Sequence, residues 1–240
     1  AVDNASDGAN GVDTLCVGPG KYEENIDIRK AKGVIIISAN GPEETIIIGT
    51  GDEETPTVTF SVNEATLKGF TIDNNGGQRA IIPTSSQGTK IINNIIVNAY
   101  RGIQGDYYGR PTNLTITNNI FENISYGIAG TEGITNLVIT KNTFRTSVEG
   151  IGLGTGIQLY GDNSIKVLLN ENTYELSGGY AIGDYRSGSL KPIKYAIDGS
   201  LLVEEGDSIQ AAVNAANDGD TINVLTGEYH EIVTINKPLS

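Results

Sequence analysis

Acidic residues and arginines recur along the middle of the chain, each acidic residue a few positions after a glycine-isoleucine or alanine-isoleucine pair. The pairs are Gly102-Ile103, Gly127-Ile128, Gly156-Ile157 and Ala181-Ile182. The acidic residues that follow them are Asp106, Glu132, Asp162 and Asp184, and the nearby arginines are Arg101, Arg110 and Arg186. A calcium-assisted polysaccharide lyase requires carboxylates around the cation and an arginine or lysine as base. The candidate catalytic residues are therefore Asp106, Arg110, Asp162, Asp184 and Arg186.

Tyrosines crowd the same part of the sequence. They are Tyr100, Tyr107, Tyr108, Tyr126, Tyr160, Tyr180 and Tyr185. Because aromatic faces combine a large apolar surface with a polar tip, they are suited to stacking on sugars, and these seven are the candidate ligand-binding residues. The competing interpretation is that the corners and faces of a repetitive β-fold are simply rich in Asp and Tyr. That structural interpretation is favoured over sugar binding, and sugar binding over catalysis.

Two further kinds of site are indicated by short motifs. The acidic run Asp52-Glu53-Glu54 is a candidate Ca²⁺ site, although it lacks the ligand spacing of an EF-hand and such runs are usually solvated. No cofactor other than Ca²⁺ is indicated. Asn-x-Ser/Thr triplets begin at Asn4, Asn113 and Asn123, and these are the candidate glycosylation sites.

The bulk composition limits the partners and the compartment. The formal net charge of −13 argues against binding to nucleic acid and to anionic membranes, because both require a basic surface. No apolar run approaches the length of a membrane span, so no membrane insertion is expected. Cys16 is the single cysteine, which excludes an internal disulfide. An extracellular or cell-surface location fits this acidic composition.

Repeated segments of 23 to 30 residues predict the architecture. Alternating apolar residues indicate two or three short strands in each repeat with no helix between them, so the repeats are not βαβ units and must stack as parallel coils. Stacking predicts two apolar columns, Ile72, Ile96, Phe121, Phe144 and Tyr174 in one and Leu67, Ile91, Ile116, Ile139 and Leu169 in the other. A ladder of amides is predicted at Asn94, Asn119, Asn142 and Asn172. Strands are also predicted in the early coils, at 14–17, 22–28, 34–38, 45–49 and 57–61.

The end of the chain repeats its beginning. Residues 220–231 align with residues 13–24 at a constant offset, since 220 − 13 and 229 − 22 both equal 207. The segment from Ser208 to Asn217 predicts a helix with Ser208 as N-cap and an apolar stripe that includes Ile209 and Val213. The chain is therefore divided into a β-solenoid unit, 1–207, and a segment, 208–240, that consists of a cap helix and a repeated first coil. This segment is either the start of a next module or a docking segment between subunits.

These features resemble the right-handed parallel β-helix proteins of the pectin-lyase-like superfamily, over essentially the whole chain. The string Ser208-Ile209-Gln210-Ala211-Ala212-Val213, followed by Gly219-Asp220-Thr221-Ile222, is similar to the opening cap and first coil of such domains. The coils are also similar to those of archaeal surface-layer proteins and of carbohydrate-binding β-helices. The resemblance implies an all-β, right-handed parallel β-helix with a short capping α-helix near the C-terminus.

The same resemblance implies little catalytic chemistry. Polygalacturonases of this fold carry an Asp-Asp pair and a Gly-His-Gly motif, and this sequence has neither. Its single histidine, His230, lies opposite Glu23 in the repeated segment and is interpreted as a solvated residue. The sequence therefore favours a structural or adhesive cell-surface protein that assembles head-to-tail or as tandem modules, with itself as its main partner. The alternative is a carbohydrate-binding module, or a calcium-dependent polysaccharide lyase.

Overall fold

Alternating apolar residues and glycine or asparagine corners wind this chain into a solenoid of short strands. The computed structural model describes residues 13–29, 33–84, 86–105, 109–131, 134–146, 155–160, 167–176, 180–184, 193–196 and 198–240. The first nine strands are β1 Thr14–Val17, β2 Gly20–Glu23, β3 Ile26–Ile28, β4 Ile35–Ser38, β5 Thr45–Ile48, β6 Val58–Phe60, β7 Thr66–Lys68, β8 Thr71–Asp73 and β9 Arg79–Pro83. The middle coils contribute β10 Lys90–Ile92, β11 Ile95–Gln104, β12 Thr115–Thr117, β13 Ile120–Ala129, β14 Leu137–Thr140, β15 Thr143–Thr146, β16 Thr155–Leu159, β17 Val167–Asn170, β18 Thr173–Leu176 and β19 Tyr180–Asp184. The last elements are β20 Ile193–Tyr195, β21 Leu201–Val203, helix α1 Ile209–Ala215 and β22 Ile222–Val224.

Two sheets run along the solenoid. One has seven strands in the order β1-β4-β7-β10-β12-β14-β17, and the other has fifteen and extends from β2 to β22. Strands of successive coils pair in parallel from β1 through β19, as in β10 with β12 and β11 with β13. The all-β fold of stacked parallel coils that the sequence predicts is therefore confirmed.

The predicted apolar columns are also confirmed. Ile96 pairs with Ile72 and with Phe121, and the register continues through Phe144 to Tyr174. The rings of Phe121 and Phe144 stack with centroids 4.7 Å apart, and those of Phe144 and Tyr174 with centroids 5.3 Å apart. The second column, Leu67, Ile91, Ile116, Ile139 and Leu169, is likewise in register. These columns form the centre of one continuous hydrophobic core.

Glycines stand against the aromatic rings of this column. A Cβ atom on Gly102 would lie 2.8 Å from a ring carbon of Phe121, and one on Gly127 would lie 2.5 Å from a ring carbon of Phe144. Gly156 has the same relation to Tyr174, at 2.8 Å. Each ring therefore fits because the preceding coil has no side chain at that position.

The predicted asparagine ladder satisfies the backbone at one corner of the solenoid. The side-chain oxygen of Asn119 accepts from the backbone N–H of Asn94 at 2.9 Å, and that of Asn142 accepts from the backbone N–H of Asn119 at 2.9 Å. Asn172 extends the ladder to Asn142, at 3.0 Å. Because the amides of Asn94, Asn119 and Asn142 are at most 1% exposed, the ladder holds polar groups that would otherwise be buried without partners.

The prediction of one strand over 22–28 was wrong. This segment divides into β2 and β3, and Asn25 lies at the corner between them. The side-chain oxygen of Asn25 accepts from the N–H of Thr50, and its amide donates to the Thr50 hydroxyl. These bonds fix a bend that the apolar alternation alone does not reveal.

The regular parallel stacking ends after β19. Strand β20 is antiparallel to β19 and to β21, whereas β21 and β22 are parallel to each other. The predicted helix is confirmed as α1, with the Ser208 side chain accepting from the N–H of Ala211 as N-cap. It packs on a second hydrophobic cluster that contains Leu201 and Val203 and is separate from the main core. The strand direction thus reverses at β20 and again at β21 before the chain begins its opening coil again.

Candidate functional site

The candidate catalytic residues are only partly placed by the structure. Asp106, Glu132, Asp162 and Arg186 lie outside the described residues. Arg110 is exposed on the segment that leads to β12, and Asp184 is the last residue of β19, paired with Leu159. No described carboxylate and arginine of this set are brought together in a cleft.

The described candidate tyrosines separate into a contacting pair and two residues that lie apart from it. Tyr107, Tyr108 and Tyr185 lie outside the described residues. Tyr100 and Tyr126 meet edge to face, with ring centroids 5.2 Å apart. Tyr160 follows β16, where its N–H donates to the Thr131 hydroxyl at 2.7 Å. Tyr180 lies on β19 and donates to the carboxylate of Glu204, beyond the main solenoid.

A polar groove lies beside the Tyr100–Tyr126 pair. It has a cavity volume of about 410 Å³, and its lining includes Asn75, Gln78, Asn98, Tyr100, Asn123 and Ser125. The Arg101 guanidinium carbon lies 4.8 Å from the Tyr100 ring centroid, which is a cation–π distance. Two coil corners and the paired strands β11 and β13 therefore place amides, a hydroxyl, two rings and a cation in one region.

Corner asparagines form the floor of this groove. Asn98 and Asn123 have φ values of 56° and 54°, a left-handed conformation that asparagine tolerates better than most residues. Asn98 donates to Asp73 at 2.9 Å, and Asn123 donates to Asn98 at 2.6 Å. Among the described residues, the Asn123 side-chain oxygen and the Ser125 hydroxyl are buried and have no hydrogen-bond partner. Such atoms are available to a ligand that reaches them.

Asn98, Gln78 and Ser125 were not among the candidates from sequence. The repeat itself was the available signal. Asn98 and Asn123 are 25 residues apart (123 − 98 = 25) and occupy the same corner of successive coils.

Asn123 was interpreted instead as a glycosylation site. Its amide nitrogen is engaged with Asn98, whereas Asn113 is exposed and accepts from Asn136 through its oxygen. Asn4 lies outside the described residues, and glycosylation stays a prediction.

The candidate Ca²⁺ residues lie on a surface loop that is closed by its own hydrogen bonds. Asp52 accepts from the N–H of Glu54 and of Thr55 through one oxygen, and from Thr50 through the other. The hydrogen bond from Thr50 is the main reason that the pKa of Asp52 lies below its usual value. In the part of the chain that the structure describes, no three His, Cys, Asp or Glu side chains come together as metal ligands.

The two ends of the described solenoid carry equivalent segments, which we name the first copy (residues 13–33) and the second copy (220–240). Both make the same local contact. Tyr22 donates to the carbonyl of Gly18 at 3.0 Å, and its equivalent Tyr229 donates to the carbonyl of Leu225 at 2.9 Å. Since Leu225 is the equivalent of Gly18, this contact is repeated, whereas β2 and β3 have no strand counterparts at the equivalent positions of the second copy, 227–230 and 233–235.

The environments of the two copies differ. Ile28 in the first copy is fully buried, whereas its equivalent Ile235 is 63% exposed. At the first copy, the first coil leaves an opening into the core, which we name the first-coil pocket. It has a cavity volume of about 200 Å³, and its lining includes Leu15, Val17, Tyr22, Glu24, Ile26 and Ile36.

Charged and polar groups link β19 and β20 to the segment that follows β21. The Lys194 ammonium lies 2.7 Å from Glu204 and 3.2 Å from Asp207, and the Lys194 side chain is 13% exposed. Burial disfavours the charged form of Lys194, but its bonds to Glu204, Tyr180 and Asp207 outweigh this and raise its pKa. The bonds from Lys194 and then Tyr180 lower the pKa of the Glu204 carboxyl. We name these four side chains the junction cluster.

Sequence comparison assigns the fold family. The family model described as right handed beta helix region matches residues 24–184. The chain belongs to this family. No curated protein sequence is significantly similar to it. Among the helices that the structure describes, none is long and apolar enough to cross a membrane.

Three solved structures in complex with oligosaccharides align with this chain. A pectin methylesterase mutant in complex with a hexasaccharide aligns at 13% identity and a TM-score of 0.49, over 94% of this chain and 87% of its own. A second pectin methylesterase complex with a hexasaccharide aligns at 11% identity and a TM-score of 0.43, over the same shares of the two chains. The catalytic domain of an α-1,3-glucanase in complex with tetrasaccharides aligns at 14% identity and a TM-score of 0.40, over 80% of this chain and 48% of its own. At these identities and scores the similarity concerns the fold alone.

Proposed function

We propose that this protein is a structural or adhesive β-helix of the cell surface or extracellular space, which is extended through its ends by head-to-tail assembly or as tandem modules. The observation that carries the proposal is the 63% exposure of Ile235, whose equivalent Ile28 is completely covered by the following coil. The second copy is therefore the beginning of a coil whose apolar side chains would be covered only by a further coil stacked on it. A second copy of this chain, or a following module, would supply that coil.

Backbone pairing at both ends supports the proposal. Among the described strands, β1 pairs with β4 on one edge, and β22 pairs with β21 on one edge. On the other side of β22, Ser240 donates to the Asp220 carbonyl and accepts from the N–H of Ile222. The other edge of β1 has no described partner, and such an edge is a template for pairing with another chain.

Exposed apolar side chains accompany the edge of the second copy. The large apolar side chains exposed there are Val224 and Leu225, each at 45%, Ile232 at 93% and Ile235 at 63%. The opposite end presents the apolar lining of the first-coil pocket. Stacking one end on the other would cover both surfaces, and repeat proteins gain stability from each such nearest-neighbour interface.

Sedimentation velocity over a range of protein concentrations tests head-to-tail assembly. We expect species larger than a monomer that grow with concentration, and filaments under the electron microscope. The double substitution Ile232→Asp with Ile235→Asp should return the protein to a monomer. Leu168→Asp is the matched control, because Leu168 is 55% exposed on β17, away from both copies. A wild-type protein that stays monomeric at high concentration would exclude this form of the proposal and leave only tandem modules.

A second candidate function is glycan binding at the polar groove, and it is favoured by a specific observation. The unpaired hydroxyl of Ser125 and the unpaired side-chain oxygen of Asn123 belong to the lining of the groove, together with Tyr100. Hydroxyl-rich ligands offer donors to such acceptors and an apolar ring face to tyrosine. A calcium-dependent lyase activity has less support, because the described residues bring no carboxylate cluster together.

A glycan array tests this candidate. We expect binding of an acidic or neutral glycan by the wild-type protein, and a loss of at least tenfold in affinity for the Tyr100→Ala variant with Ser125→Ala. Lys90→Ala is the control, because this exposed residue lies on β10 in the other sheet. Absence of binding to every acidic and neutral glycan would remove the candidate.

A further inference from the structure

We infer that the first-coil pocket receives strand β21 and helix α1 of a second copy of this module, in the arrangement that the second copy shows within one chain. This inference rests on the tandem-module form of the proposed function, in which the first copy of one module takes the place of the second copy of the preceding module. Among the described residues there is one such helix, but there are two segments with residues equivalent to those that hold it. The contacts around α1 therefore describe what the first copy is built to bind.

A carboxylate and an ammonium of the second copy hold the two ends of α1. Glu231 accepts from the Ser208 hydroxyl at 2.9 Å and from the backbone N–H groups of Ile209 and Gln210 at 2.6 and 3.2 Å. At the other end Lys237 donates to the carbonyl of Ala216 at 2.7 Å. These charges match the polarity of the helix ends and satisfy groups that a helix leaves unpaired.

The first copy carries the same residues at the same offset. Glu24 is the equivalent of Glu231, and it is exposed at the rim of the first-coil pocket. Leu15 and Tyr22 line the pocket, and their equivalents Ile222 and Tyr229 pack against the cluster that contains α1. Lys30, the equivalent of Lys237, lies outside the described residues. A helix placed over the pocket as α1 lies over the second copy would meet the Glu24 carboxylate at its N-terminus.

The strand that precedes α1 would complete the backbone pairing. In the second copy Leu201 is paired with Ile222 and Val203 with Val224, and the N–H of Leu225 donates to the Val203 carbonyl at 2.9 Å. The same register on the first copy places Leu201 beside Leu15 and Val203 beside Val17. It also predicts that the N–H of Gly18, the equivalent of Leu225, donates to the Val203 carbonyl. Strand β1 would then be paired on both edges.

In a single chain α1 is already bound by the second copy. The test therefore requires a protein in which a first copy takes the place of that second copy. We would make a tandem protein in which residues 1–219 are followed directly by residues 13–240 of a second copy. The second half then presents Glu24 to α1 of the first half, whereas the original chain serves as the control in which Glu24 has no such role.

The decisive measurement is a double-mutant cycle between Ser208 of the first half and Glu24 of the second half. In the tandem protein we expect Glu24→Gln in the second half to lower the melting temperature by about 1–2 °C, because losing one such cap costs about 1 kcal/mol and the tandem protein is about twice the length of this chain. Ser208→Ala in the first half should also lower the melting temperature. The double variant should lower it by less than the sum of the two single effects. In the original chain Glu24→Gln should leave the melting temperature unchanged, and Glu231→Gln should lower it.

Amide hydrogen exchange at Gly18 gives a readout that does not depend on global stability. We expect it to be at least tenfold slower in the second half of the tandem protein than in the original chain. If the tandem protein melts as one unit but Glu24→Gln has no effect and Gly18 exchanges at the same rate in both proteins, the inference is wrong and tandem extension stands. If the halves melt independently at the temperature of the original chain, tandem extension itself fails.

Discussion

The first copy and the second copy share their local sequence and their local tyrosine contact but have very different surroundings. Tyr22 and Tyr229 donate to the carbonyl four residues before them in each copy. Ile28 lies under β6 and the coils that follow, whereas Ile235 is exposed to solvent. Conversely, the edge of β22 that meets β21 is paired, and the equivalent edge of β1 has no described partner.

The difference shows that a coil of this solenoid is defined by its neighbours. The local sequence fixes the tyrosine contact, but burial of the apolar residues is supplied by the coil before and the coil after. Stability in such a structure is close to a sum of interfaces between adjacent coils. Among the described residues, each copy lacks the interface that the other possesses, and substitutions at equivalent positions should therefore have unequal effects.

The largest difference should be between Ile28→Asp and Ile235→Asp. A charge at Ile28 would be buried without a partner and should reduce the free energy of unfolding by about 3–5 kcal/mol. At the exposed Ile235 the same change should alter it by less than about 0.5 kcal/mol in the monomer. Urea unfolding followed by circular dichroism measures both variants. Equal losses would contradict the assignment of these residues as equivalents with different neighbours.

A smaller loss in the free energy of unfolding is expected for substitutions in the junction cluster. Lys194→Met removes the cation of the junction cluster and leaves Glu204 and the 14%-exposed Asp207 without it, and it should cost about 1.5–3 kcal/mol. Lys141→Met is the control, since its 3.7 Å ion pair with Glu171 is more than half exposed and is expected to contribute less than about 1 kcal/mol. Thermal unfolding of both variants checks the difference. A larger loss for Lys141→Met would show that the junction cluster is not a structural link.

The two tyrosines provide a finer comparison. Tyr229 donates to Leu225 and also lies 3.3 Å from the Val203 carbonyl on β21, whereas Tyr22 makes the contact within its own copy. We expect Tyr229→Phe to cost about 1 kcal/mol and Tyr22→Phe to cost less. Urea midpoints of the two variants test this order. The order should disappear in the tandem protein, where Tyr22 of the second half would face Val203.

The smallest expected effect is a pH dependence of the melting temperature that arises from the junction cluster. The pKa of Glu204 is lowered in the folded protein, so its contribution is complete above its ordinary pKa of 4.5 and is lost as the pH falls through the lowered value. Lys194 has a raised pKa, so its contribution persists at neutral pH and is lost only at strongly alkaline pH. Acid should therefore lower the melting temperature of wild type more than that of Lys194→Met. Parallel acid responses in the two proteins would contradict this assignment.

Repetition is what made much of the fold predictable from sequence. The columns through Ile96 and Ile116 could be aligned because each coil repeats the same inward positions, and the asparagine ladder follows from the same register. The reversal at β20 was not predicted, because Ile193–Tyr195 has no counterpart in the repeats and a three-residue strand has no directional signal of its own. The corner at Asn25 was missed for a similar reason, since its bonds to Thr50 connect residues on different coils.

The polar groove was less accessible to sequence reasoning than the fold. Tyr100 and Tyr126 were among the seven candidate tyrosines, and their rings meet because strands β11 and β13 pair in register. Asn98 and Ser125 were missed because a ligand site on a solenoid is assembled from different coils, and no contiguous motif records it. The left-handed corners at Asn98 and Asn123 are backbone facts that residue type alone does not determine.

The contact between a glycine of one coil and a ring of the next has an evolutionary consequence. Gly127 and Phe144 cannot change independently, because any Cβ at Gly127 would overlap the ring, and a smaller residue at 144 would leave a void. At the next coil Ala181 stands in the place that Gly156 holds one coil earlier. A duplication that lengthens this solenoid must therefore carry a glycine and its ring as a linked pair, and coils can be gained or lost by recombination only at breakpoints that keep each pair together.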